Sequence, residues 1–318
     1  MEYNFCGNSG LQLPKISLGL WHNFGDTDRF DEATRMICTA FDNGITHFDL
    51  ANNYGPPPGS AEINFGKIFA AQLKAHRDEI LVASKAGYRM WNGPYGDGSS
   101  RKNLMASLDQ SLRRTGLDYF DIFYSHRYDG VTPVEETMQA LIDMVRQGKA
   151  LYVGISNYPR EKARQACQYL ENQNVRCLLY QGKYNLFERS PEQETFPLNR
   201  EKGVGYIAFS PLAQGLLTNR YLHGIPAGSR VRKGSGFLLE EHLTPAVLEK
   251  VRRLNELAEK RSQSLAEMSL AWVLNNPNVT SVIVGTSSVP QLRDNLKALE
   301  NTHFTPAELQ QINEILSP

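Results

Sequence analysis

Short apolar runs alternate with longer amphipathic segments along almost the whole chain. The apolar runs are continuous rather than alternating, which is typical of parallel strands covered on both faces. They lie at residues 15–20, 45–50, 79–85, 119–126, 150–156, 177–181, 205–210 and 280–285. Segments with helical periodicity follow them at 30–44, 60–73, 100–116, 133–149, 159–173, 190–203 and 289–300, with two further helices after the seventh run.

The repeat of strand and helix predicts the architecture. Eight such units within 318 residues predict a single α/β domain over residues 1–318, folded as a (β/α)8 TIM barrel, with a doubly wound open sheet as the alternative. Residues 3–15 predict a small N-terminal β-hairpin that turns at Gly7 to Gly10 and covers the bottom of the barrel. A long loop at 210–236 follows the seventh strand. No GxGxxG follows the first strand, so the dinucleotide-binding open sheet lacks its fingerprint.

Composition narrows the class of protein. The chain is 41% hydrophobic and 21% charged, and Lys+Arg and Asp+Glu both total 34, so no net charge attracts nucleic acid or an anionic membrane. No apolar run reaches the ~20 residues that span a bilayer, and the N-terminus lacks the apolar core of a signal peptide. The four cysteines have no metal-like spacing. We expect reduced, mostly buried thiols, no metal, no nucleic-acid partner, no membrane insertion and a cytoplasmic location.

Four polar side chains stand at the ends of three successive predicted strands. Asp49 and Tyr54 follow the second strand, Lys85 ends the third and His126 ends the fourth. The carboxyl ends of barrel strands line the active-site mouth. A buried lysine needs a counter-charge, which Asp49 supplies, and a lysine beside a tyrosine lowers the pKa of the phenol. We therefore expect Tyr54 to act as a general acid and His126 to orient a carbonyl oxygen.

Each of these residues also has a structural interpretation. A single aspartate after a strand is more often a turn or helix cap, a single tyrosine or histidine more often packs, and Lys85 could extend its ammonium to solvent. A buried lysine of lowered pKa would also suit a Schiff-base aldolase, although Asp49 would hold it protonated. The case for catalysis depends on four such groups at successive strand ends.

The same four residues match, in order and spacing, the catalytic tetrad of the aldo-keto reductases, and the chain resembles that family over essentially its full length. The resemblance includes GLW at 19–21, FDLANNYG at 48–55, GKALYVGISN at 148–157, FSPLAQGLL at 209–217 and VIVGTSSVPQLRDN at 282–295. More closely, the chain resembles the bacterial glyceraldehyde 3-phosphate (methylglyoxal) reductase branch, which is similar to potassium-channel β subunits. The resemblance implies NADPH-dependent reduction of small aldehydes to alcohols, with Tyr54 as the proton donor.

The resemblance also implies that the cofactor lies across the barrel mouth. Ser156, Asn157 and Gln181 would hold the nicotinamide carboxamide, and Phe209 would stack on the ring. The other implied cofactor contacts are Trp21, Asp49, Ser210, Leu212, Gly215, Arg220, Arg230, Gly285, Ser287, Gln291, Asp294 and Asn295.

One position departs from the family pattern. Many members carry a Lys-Ser pair after the eighth strand that grips the 2′-phosphate of NADPH, whereas this chain has Gly285 and Thr286. A preference for NADPH over NADH would then depend on Arg230, Ser287 and Gln291, with Arg293 as a further candidate on the same helix. NADPH remains the first expectation and NADH the second, because the channel-subunit branch also lacks that lysine and still uses NADP.

The segment 87–103 follows Lys85 and would border the substrate. The implied substrate contacts are Trp21, Tyr54, Trp91, His126 and Arg127. Arg89, Arg101 and Lys102 would favour small polar or anionic aldehydes, unless these charges are simply solvated. The alternative function is that of a cofactor-binding regulatory subunit with a membrane partner. The resemblance also implies association into a homo-oligomer, although no stretch of the sequence indicates an interface.

Overall fold

The computed structural model describes residues 1–222, 224–225 and 238–317. Its strands within those ranges are β1 Tyr3–Phe5, β2 Gln12–Pro14, β3 Ile16–Gly19, β4 His47–Asp49, β5 Leu81–Ala86, β6 Phe120–Ser125, β7 Ala150–Ser156, β8 Cys177–Lys183, β9 Gly205–Phe209 and β10 Ser281–Val284. Eight of them close a barrel in the order β10-β3-β4-β5-β6-β7-β8-β9, and every neighbouring pair is parallel. The predicted (β/α)8 barrel is confirmed, and the open sheet is wrong.

The helices surround this barrel. Within the described residues they are α1 Phe30–Asp42, α2 Ser60–Ile68, α3 Arg101–Thr115, α4 Val134–Arg146, α5 Arg160–Asn172, α6 Thr195–Lys202, α7 Pro245–Lys260, α8 Leu265–Asn275, α9 Val289–Leu296 and α10 Pro306–Leu316. Ser100 caps α3, because its Oγ accepts from the Asn103 N–H at 3.3 Å. α10 was not predicted, although Thr305 and Glu308 form a capping box at its start.

The N-terminal hairpin closes one end of the barrel. β1 and β2 pair antiparallel, with Tyr3 opposite Pro14. Cys6 and Leu13 are fully buried in the same apolar cluster as Ala83 and other inward-facing residues of the barrel strands. This confirms the predicted hairpin and leaves the opposite end, at the carboxyl ends of the strands, as the open mouth.

Along β4, the side chains point alternately outward to the helices and inward to the interior of the barrel. Phe48 points outward and packs its ring against Phe65 of α2, with centroids 5.8 Å apart. His47 and Asp49 point inward, because residues two apart on a strand share a face. His47 Nδ1 lies 2.9 Å from Ser17 Oγ of β3, in the lower part of the barrel. Asp49 lies nearer the mouth, where the inward-facing positions are polar.

Several expectations concern chemistry outside the barrel mouth. All four cysteines are free thiols, three of them buried and Cys38 partly so. Over the described ranges, no three or more side chains of metal-binding type are grouped. In the same ranges, no helix has both the length and the apolar character needed to cross a bilayer. The loop after β9 is described only up to residue 222 and at 224–225, so Arg230 lies outside the described residues.

Candidate active site

A buried ion pair forms the base of the site. Asp49 ends β4, and Lys85 lies near the end of the neighbouring β5. Lys85 Nζ is 2.6 Å from Asp49 Oδ2, 2.6 Å from the Leu50 carbonyl oxygen and 3.4 Å from Tyr54 Oη. From the far side of the barrel, Gln181 Nε2 donates to Asp49 Oδ1 at 2.9 Å. The ammonium therefore has three acceptors, and the carboxylate is held on both oxygens.

Tyr54 reaches this pair from the loop between β4 and α2. The N–H groups of Gly59 and Ala61, where α2 begins, donate to the Tyr54 carbonyl oxygen at 3.0 and 3.3 Å. The start of the helix thus fixes the backbone from which the side chain projects. The ring is half-buried and lies 6.2 Å from the Trp21 ring, centroid to centroid.

The predicted lowering of the Tyr54 pKa is wrong. Burial is the largest cause acting on this phenol, followed by the charges of Asp49 and Tyr88, and all three raise its pKa well above the usual value. Burial also lowers the pKa of Lys85, while the Asp49 carboxylate acts in the opposite direction. Tyr54 therefore holds its proton at neutral pH, as a proton donor must.

His126 faces Tyr54 from the end of β6. Their rings meet edge to face with centroids 6.1 Å apart, and Tyr88 packs edge-on against the imidazole at 4.6 Å. Burial, with the positive charges of Lys85 and Arg127, lowers the pKa of His126 well below its usual value. The imidazole is neutral at physiological pH, and its buried Nδ1 has no hydrogen-bond partner among the described residues.

The residues expected to hold a nicotinamide carboxamide lie together on β7 and β8. Ser156 and Gln181 are buried register partners at the same level of the barrel. Asn157 has a left-handed φ of 54°, and its Nδ2 donates to the His126 carbonyl oxygen at 3.1 Å. Phe209 ends β9 and is partly buried. These side chains border the tetrad on one side of the mouth.

The expected adenosine contacts lie along α9 and in the short segment that precedes it. Ser287 donates to Gln291 Oε1 through both its N–H and its Oγ, each at 2.9 Å, while Asp294 pairs with the lysine three residues on. The buried Asn295 Nδ2 lacks a hydrogen-bond partner within the described ranges. Gly285 has no heavy atom within 4 Å of the position of a Cβ. An unpaired buried amide and an open glycine both fit a ligand rich in donors and acceptors, such as the adenosine end of a dinucleotide.

The loop after β9 carries the remaining expected cofactor contacts. Ser210 and Gly215 have positive φ angles of 51° and 97°, and Leu212 is partly buried between them. Arg220 is exposed on a short 3₁₀ turn. The structure therefore brings the first part of this loop over the end of β9, and leaves the Arg220 side chain in solvent.

On the substrate side of the mouth, one expected cation points elsewhere, and the role of Trp91 stays a prediction. Arg101 does not face the mouth, because its guanidinium binds Asp143 of α4. No hydrogen bond or ring contact joins Trp91 to Tyr54 or His126 in the described part of the chain. Arg127 does border the site, since its guanidinium packs on the Tyr88 ring that covers the imidazole of His126.

Sequence reasoning missed two groups that contact the tetrad. The Leu50 carbonyl oxygen accepts from Lys85, and Tyr88 covers His126. A backbone carbonyl has no sequence signal. Tyr88 had one, since it is an aromatic residue three positions after Lys85 in the segment assigned to the substrate.

Comparisons with known proteins agree with this geometry. The model of the aldo/keto reductase family matches residues 15–317. An Escherichia coli (strain K12) protein named L-glyceraldehyde 3-phosphate reductase is 52% identical over 318 residues, which is 99% of this chain and 92% of the relative. An Arabidopsis thaliana protein named probable voltage-gated potassium channel subunit beta is 34% identical over 323 residues, 99% and 97% of the two chains. A Bacillus subtilis protein described as an uncharacterized oxidoreductase is 36% identical over 309 residues, 94% and 91%.

Proposed function

The chain belongs to the aldo/keto reductase family, and we propose that it reduces small aldehydes to alcohols with NADPH as the preferred cofactor. The observation that carries this proposal is the placement of the Tyr54 hydroxyl 3.4 Å from the Lys85 ammonium, which is itself paired with Asp49. A neutral imidazole stands on the other side of the phenol. The relative named as a reductase of L-glyceraldehyde 3-phosphate makes that aldehyde the first candidate substrate, with methylglyoxal as the second.

The proton is supplied by Tyr54. When hydride reaches the carbonyl carbon, negative charge develops on the oxygen, and the protonated phenol donates to it. An alkoxide is far more basic than even a tyrosine of raised pKa, so the transfer is favourable. The nearby Lys85 ammonium then stabilises the phenolate that forms, because opposite charges interact strongly in a buried site.

Asp49 and His126 assist this proton transfer from two sides of the site. Asp49 keeps Lys85 in place and charged, through the 2.6 Å contact. The neutral imidazole of His126 can donate a hydrogen bond to the carbonyl oxygen of the substrate, and it leaves the proton transfer to Tyr54. Both residues therefore orient the reacting atoms, which lowers the entropy that the transition state must lose.

The cofactor would be held by residues that surround the tetrad. NADPH supplies the hydride when it is bound. Ser156, Asn157 and Gln181 would bind its carboxamide, and Asn295 would bind at the adenosine end. A preference for NADPH over NADH is proposed because the resemblance to the family implies it. Ser287 and Gln291 are the described residues that would contact the 2′-phosphate.

Two other functions fit less well. A Schiff-base enzyme needs a neutral amine with a free lone pair, whereas three acceptors surround Lys85 Nζ. A regulatory subunit is favoured by the similarity to proteins named as potassium channel β subunits, and it would retain cofactor binding without requiring turnover. The cytoplasmic location and a homo-oligomer stay predictions.

The test of the proposal is oxidation of NADPH, and then of NADH, in the presence of glyceraldehyde 3-phosphate or methylglyoxal. We expect turnover with NADPH, and a loss of about 10²-fold or more in Tyr54→Phe, because a general acid contributes about that much. NADPH binding, followed by fluorescence, should be nearly unchanged in that variant.

Tyr169→Phe is the matched control, since that hydroxyl lies on α5 and donates to Gln139, away from the mouth. Full activity of Tyr54→Phe would remove the acid role. Tight NADPH binding without any turnover would favour the regulatory function instead.

A further inference from the structure

A phosphorylated aldehyde brings two negative charges into the mouth, and the tetrad leaves no cation for them. The Lys85 ammonium is fully buried and occupied by Asp49 and Leu50. Arg101 is paired on α4. Arg89 is exposed and binds Asn92 of its own loop. A dianionic substrate therefore needs another cation within reach of the carbonyl site.

Arg127 is held in a fixed position next to His126. Its Nε donates to the Gly87 carbonyl oxygen at 2.9 Å, and its guanidinium carbon lies 4.9 Å from the centre of the Tyr88 ring. Tyr88 in turn packs on the imidazole. The arginine, the tyrosine and the imidazole thus form one contiguous surface at the mouth. The charge is close enough to contribute to the lowered pKa of His126.

Part of this guanidinium is available to a ligand. The Arg127 side chain is 28% exposed, and in the described part of the chain Nη1 makes no hydrogen bond. Nη2 donates to Asp97 Oδ1 at 2.8 Å, and the Asp97 side chain is 50% exposed. An ion pair this exposed contributes little net stability, because water competes for both partners.

The surrounding loops are held independently of Asp97. Asp129 accepts from the Ser99 N–H at 2.7 Å and from the Thr132 hydroxyl at 2.6 Å, which ties the loop after β5 to the loop after β6. The glycine between Asp97 and Ser99 has a φ of 82°. Asp97 can therefore release Arg127 without loosening the frame that carries the arginine.

We propose that Arg127 recognises the phosphate group of a phosphorylated aldehyde and that Asp97 competes with this phosphate for the guanidinium. The inference builds on the proposed reductase function and adds a residue that sets its substrate class. Arginine suits this role, because its planar fork donates two parallel hydrogen bonds to a phosphate. Asp97 accepts from the guanidinium through one oxygen only, Oδ1, so a dianion that accepts from two N–H groups at once can displace it.

The experiment compares glyceraldehyde 3-phosphate with glyceraldehyde, which has the same carbon frame without the phosphate. The quantity measured is the ratio of kcat/KM for the two substrates at saturating cofactor. Arg127→Gln should lower this ratio by about 10- to 100-fold, the range expected for a lost charge-assisted hydrogen bond. Asp97→Asn should change it in the opposite direction, with a KM for glyceraldehyde 3-phosphate lowered several-fold. Arg113→Gln, which removes an exposed arginine of α3 that has no assigned role at the mouth, should keep the wild-type ratio.

The opposite changes expected in the kcat/KM ratio of the two variants distinguish phosphate recognition from a purely structural role. If Arg127 and Asp97 only brace the loops, both variants lose activity together and the ratio stays constant, which would overturn the inference. A fall in the ratio in Asp97→Asn as well would also overturn it, since the carboxylate would then be helping phosphate binding. Absence of turnover in the wild-type enzyme with either aldehyde would instead contradict the reductase function on which the inference rests.

Discussion

The side chain of Lys85 is costly to bury, although the proposed reaction requires it. Its ammonium is fully buried, and burial alone would favour the neutral amine. The Asp49 carboxylate and the Leu50 carbonyl, each at 2.6 Å, compensate for the lost water. A buried ion pair of this kind adds little to stability as a pair, but removal of one partner leaves an uncompensated charge.

This asymmetry predicts a strong coupling between the two residues. Lys85→Met should lower the free energy of unfolding by about 3–5 kcal/mol, because it leaves Asp49 charged and unpaired in the barrel. Adding Asp49→Asn should restore much of that loss, since the remaining amide carries no charge. Urea unfolding of the two single variants and the double variant measures the coupling energy.

Activity provides the second readout of the same cycle. The double variant should be as inactive as Lys85→Met, because stability is restored without the cation that, in the proposed mechanism, stabilises the Tyr54 phenolate. Lys102→Met, an exposed lysine on α3, should leave stability within about 0.5 kcal/mol. Strictly additive losses in the two single variants would show that the pair is not coupled.

At the scale of elements, the position of α2 depends on one glycine. A Cβ at Gly66 would lie 2.7 Å from the carbonyl oxygens of Arg114 and Thr115, at the end of α3. No real Cβ comes this close to backbone oxygen, so α2 and α3 approach each other here only because the side chain is absent. Since α2 also fixes the backbone of Tyr54, this packing supports the position of the proposed proton donor.

Gly66→Ala should therefore destabilise the protein despite the helix preference of alanine. The preference would contribute about 1 kcal/mol in favour of the variant. The clash is with backbone rather than with a flexible side chain, and overpacking of this kind costs typically about 1–3 kcal/mol. We expect a net loss in thermal or urea unfolding, together with reduced kcat.

Gly10→Ala is the matched control. Nothing lies within 4 Å of its hypothetical Cβ, so this substitution in the hairpin turn should change stability by less than about 0.5 kcal/mol. An equal or greater stability of Gly66→Ala would show that the two helices can separate freely.

At the scale of the whole molecule, the barrel interior contains a neutral histidine. His47 is fully buried, and burial lowers its pKa to about 4, against 6.5 for an exposed imidazole. Ser17 Oγ lies 2.9 Å from Nδ1, while the buried Nε2 has no hydrogen-bond partner within the described residues. The unfolded chain therefore binds a proton at mildly acidic pH that the folded chain excludes.

This difference predicts a loss of stability on acidification. Above about pH 6.5 both states are unprotonated at this residue and it has no effect. Between about pH 6.5 and 4 only the unfolded state is protonated, so the free energy of unfolding falls by about 3 kcal/mol through His47. The lowered pKa of His126 adds a contribution of the same sign.

His47→Gln tests the assignment, because the amide can keep a polar contact with Ser17 but does not titrate. Its free energy of unfolding, measured from pH 7.5 to 4.5 in urea, should fall less steeply than that of the wild type. Parallel pH profiles for the two proteins would mean that other groups account for the acid sensitivity.

The sequence by itself determined the eight strands, the hairpin and the placement of Asp49, Tyr54, Lys85 and His126 at strand ends. These follow from local periodicity, since a strand buried on both faces is predominantly apolar. The resemblance to one family added the roles. The ends of helices depend on caps and short turns, which involve only a few weak interactions, and α10 was not predicted although its capping-box residues, Thr305 and Glu308, are present in the sequence.

Only the tertiary structure determined which side chains of different strands and helices contact each other. Gln181 reaches Asp49 because barrel closure brings β8 opposite β4, although the two residues are 132 positions apart. Arg101 turns to α4 instead of the mouth for a similar reason, since helix packing offers it Asp143. The direction of the Tyr54 pKa was also a tertiary property. Neighbouring charge suggested a lowered value, but desolvation is set by everything that surrounds the ring, and no local stretch of sequence encodes it.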